Sequence, residues 1–292
     1  MGRFPRPLRS SPTEEFATVK FAICNETFRD WPIDKGFAFA AECGYTGVEI
    51  APFTIAPDVR VITAGQRAEV LKAAGAAGLE IIGLHWLLAK TEGLHVTSPD
   101  SAVRRRTAEY LKELARFCAD LGGRLMVFGS PQQRNLAPGM DAKEGMDCAE
   151  EVLSRVLPAL EQNEVTLAVE PLGPEETNFL VTTAEAVEMV ERIGSPHVRL
   201  HLDCKAMATE SIPIPDLIRT VRQLLAHFHA NDPNRQGPGF GTLDFRPIFQ
   251  ALGEIDYGGW VSVEVFDYSP GVENLAKGSI DYMQDCLGQL AG

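Results

Sequence analysis

Short apolar runs recur along the chain, and each is followed by a longer segment with apolar residues at helical spacing. The runs begin near residues 19, 46, 79, 124, 165, 198, 225 and 260. Val19-Lys20-Phe21-Ala22-Ile23-Cys24, Gly47-Val48-Glu49-Ile50, Leu79 to Leu84, Arg124 to Phe128, Val165 to Val169, Val198 to Leu202, the run through Leu224-Leu225-Ala226 and Trp260 to Val263 all read as buried strands. Helical patterns lie between them. They cover Ile33 to Cys43, Ala64 to Gly78, Ser101 to Leu121, residues 143–163, Thr182 to Ile193, residues 214–224, Asp244 to Leu252 and Gly271 to Leu290. Gly44, Gly78 and Gly122-Gly123 stop helices, and Ser98-Pro99-Asp100 and Thr182/Thr183 supply capping side chains. Eight strand–helix units with no linker between them predict an α/β fold, a single-domain (β/α)8 TIM barrel over residues 19–292. A doubly wound sheet would want a glycine-rich first turn, and Asn25-Glu26-Thr27-Phe28 is not one.

The most informative stretch runs from His227 to Gly241. A buried strand turns abruptly polar, with His229, Asn231, Asp232 and Arg235 close together, and Pro and Gly then forbid regular structure. Three other strands end in Glu170, Asp203 and Glu264. In a barrel the C-terminal strand ends meet at one mouth. Three carboxylates and one imidazole there form a hard, oxygen-rich ligand set that suits Mn²⁺, Mg²⁺ or Co²⁺, and admits Zn²⁺. Alternation along a strand puts His227 on the same side as His229, and His201 on the same side as Asp203. These two histidines either support the ligands from below or are satisfied core residues.

Net charge is −13, from 27 basic and 40 acidic residues. A general field for nucleic acid or an anionic membrane is therefore not expected. Composition is otherwise ordinary, 45% hydrophobic and 23% charged, and no apolar run is long enough to span a bilayer. The six cysteines form no CxxC pair and read as reduced thiols of a cytoplasmic protein. Residues 1–18 carry three arginines and three prolines but no apolar core, so they read as a poorly ordered arm rather than a signal peptide.

Ala168-Val169-Glu170-Pro171-Leu172, Glu176-Thr177-Asn178, Leu202-Asp203, His227-Phe228-His229-Ala230-Asn231-Asp232, Arg235, Pro238-Gly239, Gly241 and Val263-Glu264 together resemble the xylose-isomerase-like TIM-barrel superfamily of sugar isomerases and epimerases. Within it they are most similar to the ketose 3-epimerase branch, which includes the D-tagatose and D-psicose 3-epimerases. The likeness is carried by residues 165–266. It implies that Glu170, Asp203, His229 and Glu264 hold one divalent ion, usually Mn²⁺. It also implies that Glu170 and Glu264 exchange the substrate proton and that Glu176 and Arg235 hold substrate hydroxyls. Relatives are often dimers or tetramers, so a homo-oligomer is conceivable. One departure stands out. The family pattern has a histidine three residues after the aspartate, where this chain has Ala206; the contact is missing or supplied by another residue such as Lys205.

The expected activity is removal and return of a proton next to the carbonyl of a small sugar or keto-polyol, by carboxylates beside a metal. Phe21, Trp86, Phe240 and Phe266 lie near strand ends as candidates for an apolar wall. Glu49, His85 and Arg134 also sit near strand ends; His85 either reaches a substrate hydroxyl or is a packed loop histidine. Residues 86–100, with Glu92 and His95, form a candidate lid, and Arg104-Arg105-Arg106 a solvated helix face. A lyase of the inosose-dehydratase type would use the same site. A barrel glycosidase needs two glutamates but gives Asp203 and His229 no role. A trinuclear phosphodiesterase needs more than the six histidines present and a basic face. A non-catalytic sugar-binding barrel is the remaining alternative.

Overall fold

The computed structural model describes residues 19–291. Eight parallel strands close into a barrel in sequence order: β1 (Lys20–Cys24), β2 (Gly47–Ile50), β3 (Glu80–Leu84), β4 (Leu125–Phe128), β5 (Thr166–Val169), β6 (Val198–Asp203), β7 (Leu225–Ala230) and β8 (Trp260–Val263). Around them run α1 (Ile33–Cys43), α2 (Ala64–Ala77), α3 (Ser101–Asp120), α4 (Ala142–Asn163), α5 (Thr183–Ile193), the short α6 (Cys204–Met207), α7 (Ile214–Thr220), α8 (Arg246–Glu254) and α9 (Val272–Ala291). The α/β barrel read from the sequence is the fold observed. The expected arm, residues 1–18, lies outside the described residues.

Local chemistry explains most boundaries. α2 and α4 open with reciprocal capping boxes, Thr63 with Gln66 and Asp141 with Glu144. α1 and α2 close on Gly44 and Gly78 at φ 108° and 70°, a conformation that a β-carbon would strain. Short features were not apparent from periodicity: the 3₁₀ turn Asn25–Phe28, two further 3₁₀ turns at Pro52–Thr54 and Val59–Val61, and α6 directly after Asp203. α7 ends at Thr220, earlier than expected, and α8 begins at Arg246, because the Asp244 carboxylate takes up the Arg246 amide at 3.0 Å.

Most of the apolar core lies between the sheet and the helices, as where Phe21 of β1 meets Phe249 of α8 edge-on at 6.1 Å. Phe21 therefore faces away from the barrel interior. Phe240 packs on α9, where a β-carbon on Gly278 would meet its ring at 2.8 Å. Neither supplies the apolar wall expected of it. The candidate lid is a packed segment: Leu87, Leu88, Val96 and Thr97 are buried, and the Val96 amide donates to the Gln133 carbonyl at 2.8 Å. Arg104 departs from the solvated face by pairing with Glu151 of α4, whereas Arg105 and Arg106 are exposed.

Candidate metal and active site

The barrel interior beneath the mouth is polar. Cys24, Glu49, His201, His227, His229 and Ser262 are all buried there. Parallel pairing sets His201 opposite His227 and Asp203 opposite His229 on β6 and β7. Glu49 of β2 crosses the interior and accepts from His227 Nε2 at 3.0 Å and His229 Nε2 at 3.1 Å. Burial opposes its charge, but the two imidazoles outweigh burial and hold the Glu49 carboxyl well below its ordinary range. His227 thus supports His229 through Glu49. His201 does not hydrogen-bond a candidate ligand: its ring packs 4.2 Å from that of His229, and its Nε2 stands 3.7 Å from Glu170 Oε1.

Above this layer Glu170, Asp203, His229 and Glu264 converge, with one donor atom from each lying within 4.8 Å of the others. That donor set is of a kind that would fit a single divalent ion. Each member is oriented differently. Asp203 accepts from the Ala206 amide at 2.9 Å and from Asn231 Nδ2 at 2.5 Å. Ala206 therefore contributes a backbone donor that fixes the aspartate. Glu264 accepts from His229 Nδ1 at 3.0 Å and approaches His85 Nδ1 at 3.3 Å. His85 Nε2 lies 2.8 Å from Glu26 Oε2 on its other side.

Glu170 is placed through its backbone. The wholly buried Arg134 donates Nη1 to the Glu170 carbonyl at 2.6 Å and Nη2 to the Phe128 carbonyl. Burial lowers the Arg134 guanidinium to about 10. The Glu170 carboxylate accepts no hydrogen bond among the described residues and points over Gly129, where an added β-carbon would lie 1.5 Å from Oε2. The two glutamates consequently differ. Burial, then repulsion from Glu264 and Asp203, raises Glu170 well above the usual range. Burial also works against the charge of Glu264, but His229 and His85 outweigh it and hold that carboxyl low. Three buried carboxylates with one histidine between them leave negative charge that a cation would balance.

The cavity over these groups is about 260 Å³ and is lined by His85, Trp86, Glu176, Arg235 and Phe266 together with Glu170 and Glu264. That lies just below the roughly 300–1,000 Å³ of ordinary ligand sites and leaves room only for a small molecule. The rings of Trp86 and Phe266 pack at 6.2 Å, tilted by 59°. Lys205 Nζ binds Glu176 Oε1 at 2.6 Å and sits 4.9 Å over the Phe266 ring, beside the place where a histidine was expected. The structure thus gathers the strand-end residues named from the sequence. It adds Glu26, Cys24 and Gly129, for which the only sequence signal was a position at or next to a strand end. Asp232 and Gly241 act on the loop: Asp232 accepts from the Thr242 and Leu243 amides, and a β-carbon at Gly241 would meet Asp232 Oδ1 at 1.9 Å.

Residues 37–286 match the Xylose isomerase-like TIM barrel family. The chain belongs to that family. It is 30% identical over 182 residues to the L-ribulose 3-epimerase of Mesorhizobium japonicum, covering 62% of this chain and 61% of that one. It is 38% identical over 102 residues to the D-psicose 3-epimerase of Agrobacterium fabrum, covering 35% of each. The chain therefore spans under two thirds of the length of these relatives. It also aligns with the 3-dehydro-D-guloside 4-epimerase of Escherichia coli at 25% identity, over 92% of this chain and all of that one. The barrel superposes on a D-psicose 3-epimerase crystallised in the presence of D-fructose with a TM-score of 0.81, at 22% identity, covering 92% and 100% of the two chains. No helix among the described residues is long and apolar enough to cross a membrane.

Gly129→Ala tests the placement of Glu170. The new methyl would occupy the position of the carboxylate, so divalent-metal affinity is expected to fall at least about tenfold. Unfolding of the metal-free protein should change by less than about 1 kcal/mol, because only the end of one side chain must move. Metal titration followed by calorimetry, with denaturant unfolding alongside, checks both.

Proposed function

We propose that this protein is a divalent-metal-dependent isomerase or epimerase of a small sugar or keto-polyol, with Glu170 and Glu264 as its proton-transfer pair. The observation that carries this reading is the convergence of Glu170, Asp203, His229 and Glu264 at one small cavity, with the two glutamates entering from strands three places apart. Glu170 accepts no hydrogen bond among the described residues, whereas Glu264 lies beside His229 and His85.

Glu170, Asp203, His229 and Glu264 fit a divalent ion, with Mn²⁺ the ion implied by the resemblance and Mg²⁺, Co²⁺ or Zn²⁺ compatible with the same donors. Such an ion supplies positive charge that acidifies a proton next to a carbonyl by several kcal/mol. Glu264, with His85 Nδ1 3.3 Å from its Oε1, takes the proton from one side of the carbon. Glu170 comes from a strand three places round the barrel and returns a proton from another side. Glu176 and Arg235 bind hydroxyl groups at the mouth, and Trp86 and Phe266 exclude water from the reacting carbon. Lys205 holds Glu176 in place.

Elemental analysis of the purified protein and product analysis on ketoses, inososes and keto-glycosides test the reading. About one divalent ion per chain and an epimer or isomer as product are expected. A product short of one water would assign the same site to a lyase. Full turnover with no metal bound would overturn the proposal.

A further inference from the structure

The small cavity opens into a second, larger chamber of about 450 Å³. The two share Trp86, Pro131, Gln132, Arg235 and Phe266 as lining residues. Arg29 and Lys90 join Arg235 in the outer chamber. The chain as a whole carries a net charge of −13, so a chamber lined by three cations and one carboxylate runs against its composition. Among the described residues no carboxylate lies within 4.0 Å of Lys90 or Arg235, and Arg29 has only the exposed Asp30 at 3.9 Å. The three cations are instead steadied on aromatic faces: Lys90 over Phe53 at 4.4 Å, Arg29 over Tyr268 at 4.8 Å and Arg235 over Phe266 at 5.9 Å. The one carboxylate on the chamber wall, Glu26, is buried, with Oε2 2.8 Å from His85 Nε2.

Backbone geometry singles out the same place. Trp86, Lys90 and Arg235 all have positive φ, at 52°, 60° and 74°, although none is glycine. Half of the six such residues described line this one chamber. Conformations of this kind cost free energy and cluster where a site holds side chains for a ligand.

We infer that the substrate carries an anionic group, a phosphate ester or a carboxylate, at the end remote from the reacting carbon, and that Arg29 and Lys90 receive it in the outer chamber, with Arg235 at the junction of the two cavities. The inference rests on the proposed proton-transfer reading of the inner cavity and extends it to the substrate class. Arg offers paired donors to an oxyanion and Lys a compact charge, so the set accepts either source.

The test compares ligands by titration calorimetry on the metal-loaded protein. The probes are a neutral ketopentose, its terminal phosphate ester and a keto-uronate. At least one anionic probe is expected to bind ten or more times tighter than the neutral sugar, and the tighter of the two names the source. The advantage should shrink to threefold or less in an Arg29→Ala/Lys90→Ala double variant, which keeps its affinity for the neutral sugar, and should fall as salt is raised. Neutral and anionic probes binding within twofold of each other, or no binding by either anion, would overturn the inference. Solvent-deuterium exchange on the same probes reads the inner cavity separately: exchange without an anionic preference sinks only this inference, and an anionic preference without exchange sinks only the proposed reaction.

Discussion

Replacing Glu264 with glutamine is expected to lower kcat by at least about a thousandfold while the metal stays bound. Glutamine keeps the shape and one carbonyl oxygen but cannot accept a proton from carbon. Loss of a positioned general base costs about 10²–10⁴ in rate. The upper part of that range applies because Glu264 is buried at the cavity floor, with His85 Nδ1 3.3 Å from its Oε1. Steady-state kinetics with metal analysis checks this. Activity within tenfold of the parent, with metal present, would remove Glu264 from the base role. Glu170→Gln is the informative companion. It should also stop turnover, but exchange of the substrate proton with solvent would survive in part if Glu264 alone removes that proton.

Glu49→Gln should have the largest effect on stability of any single substitution near the site. Glu49 is completely buried and is the shared acceptor of His227 and His229. Both rings meet the same oxygen, Oε2, so an amide oxygen keeps an acceptor there but removes the negative charge that balances them and puts an NH2 group in place of the other oxygen. Removing one partner from a buried ionic cluster costs about 3–5 kcal/mol. Metal affinity should fall as well, by about 10–100-fold, because the ring of His229 loses the acceptor that orients it. Denaturant unfolding of the metal-free protein and a metal titration measure the two effects separately. Unchanged values in both would show that Glu49 only fills space.

The strands and most helices were legible because each carries its own signal. The apolar runs of β1 to β8 are short and sharply bounded, and Thr63, Asp141, Thr182 and Gly44 mark helix ends by chemistry that acts within a few residues. The candidate ligands were legible for a related reason, since the fold brings consecutive strand ends to one mouth. Contacts across the barrel were not legible in the same way. Glu49 and His227 lie 178 residues apart and meet only because β2 and β7 face the same interior. The Phe21 error came from strand parity: Cys24 Sγ points inward, 3.7 Å from Ser262 Oγ, while Phe21, an odd number of residues away, points outward to α8. Ala206, where the family pattern has a histidine, leaves a contact either missing or supplied by another residue such as Lys205. Its amide, at the start of α6, secures Asp203, and Lys205 Nζ reaches Glu176 at the cavity.

The proposed reaction is the movement of a proton on carbon by carboxylates of this barrel beside a bound metal. Deuterium incorporation from D₂O, followed by NMR on a panel of ketoses, keto-uronates, ketose phosphates and inososes, measures it most directly. With Mn²⁺ present the account predicts one deuteron appearing next to the carbonyl of one substrate class. Incorporation should stop in chelator and return when the metal is restored. Incorporation that persists in chelator, or an epimeric product formed in D₂O with no deuterium at that carbon, would contradict it.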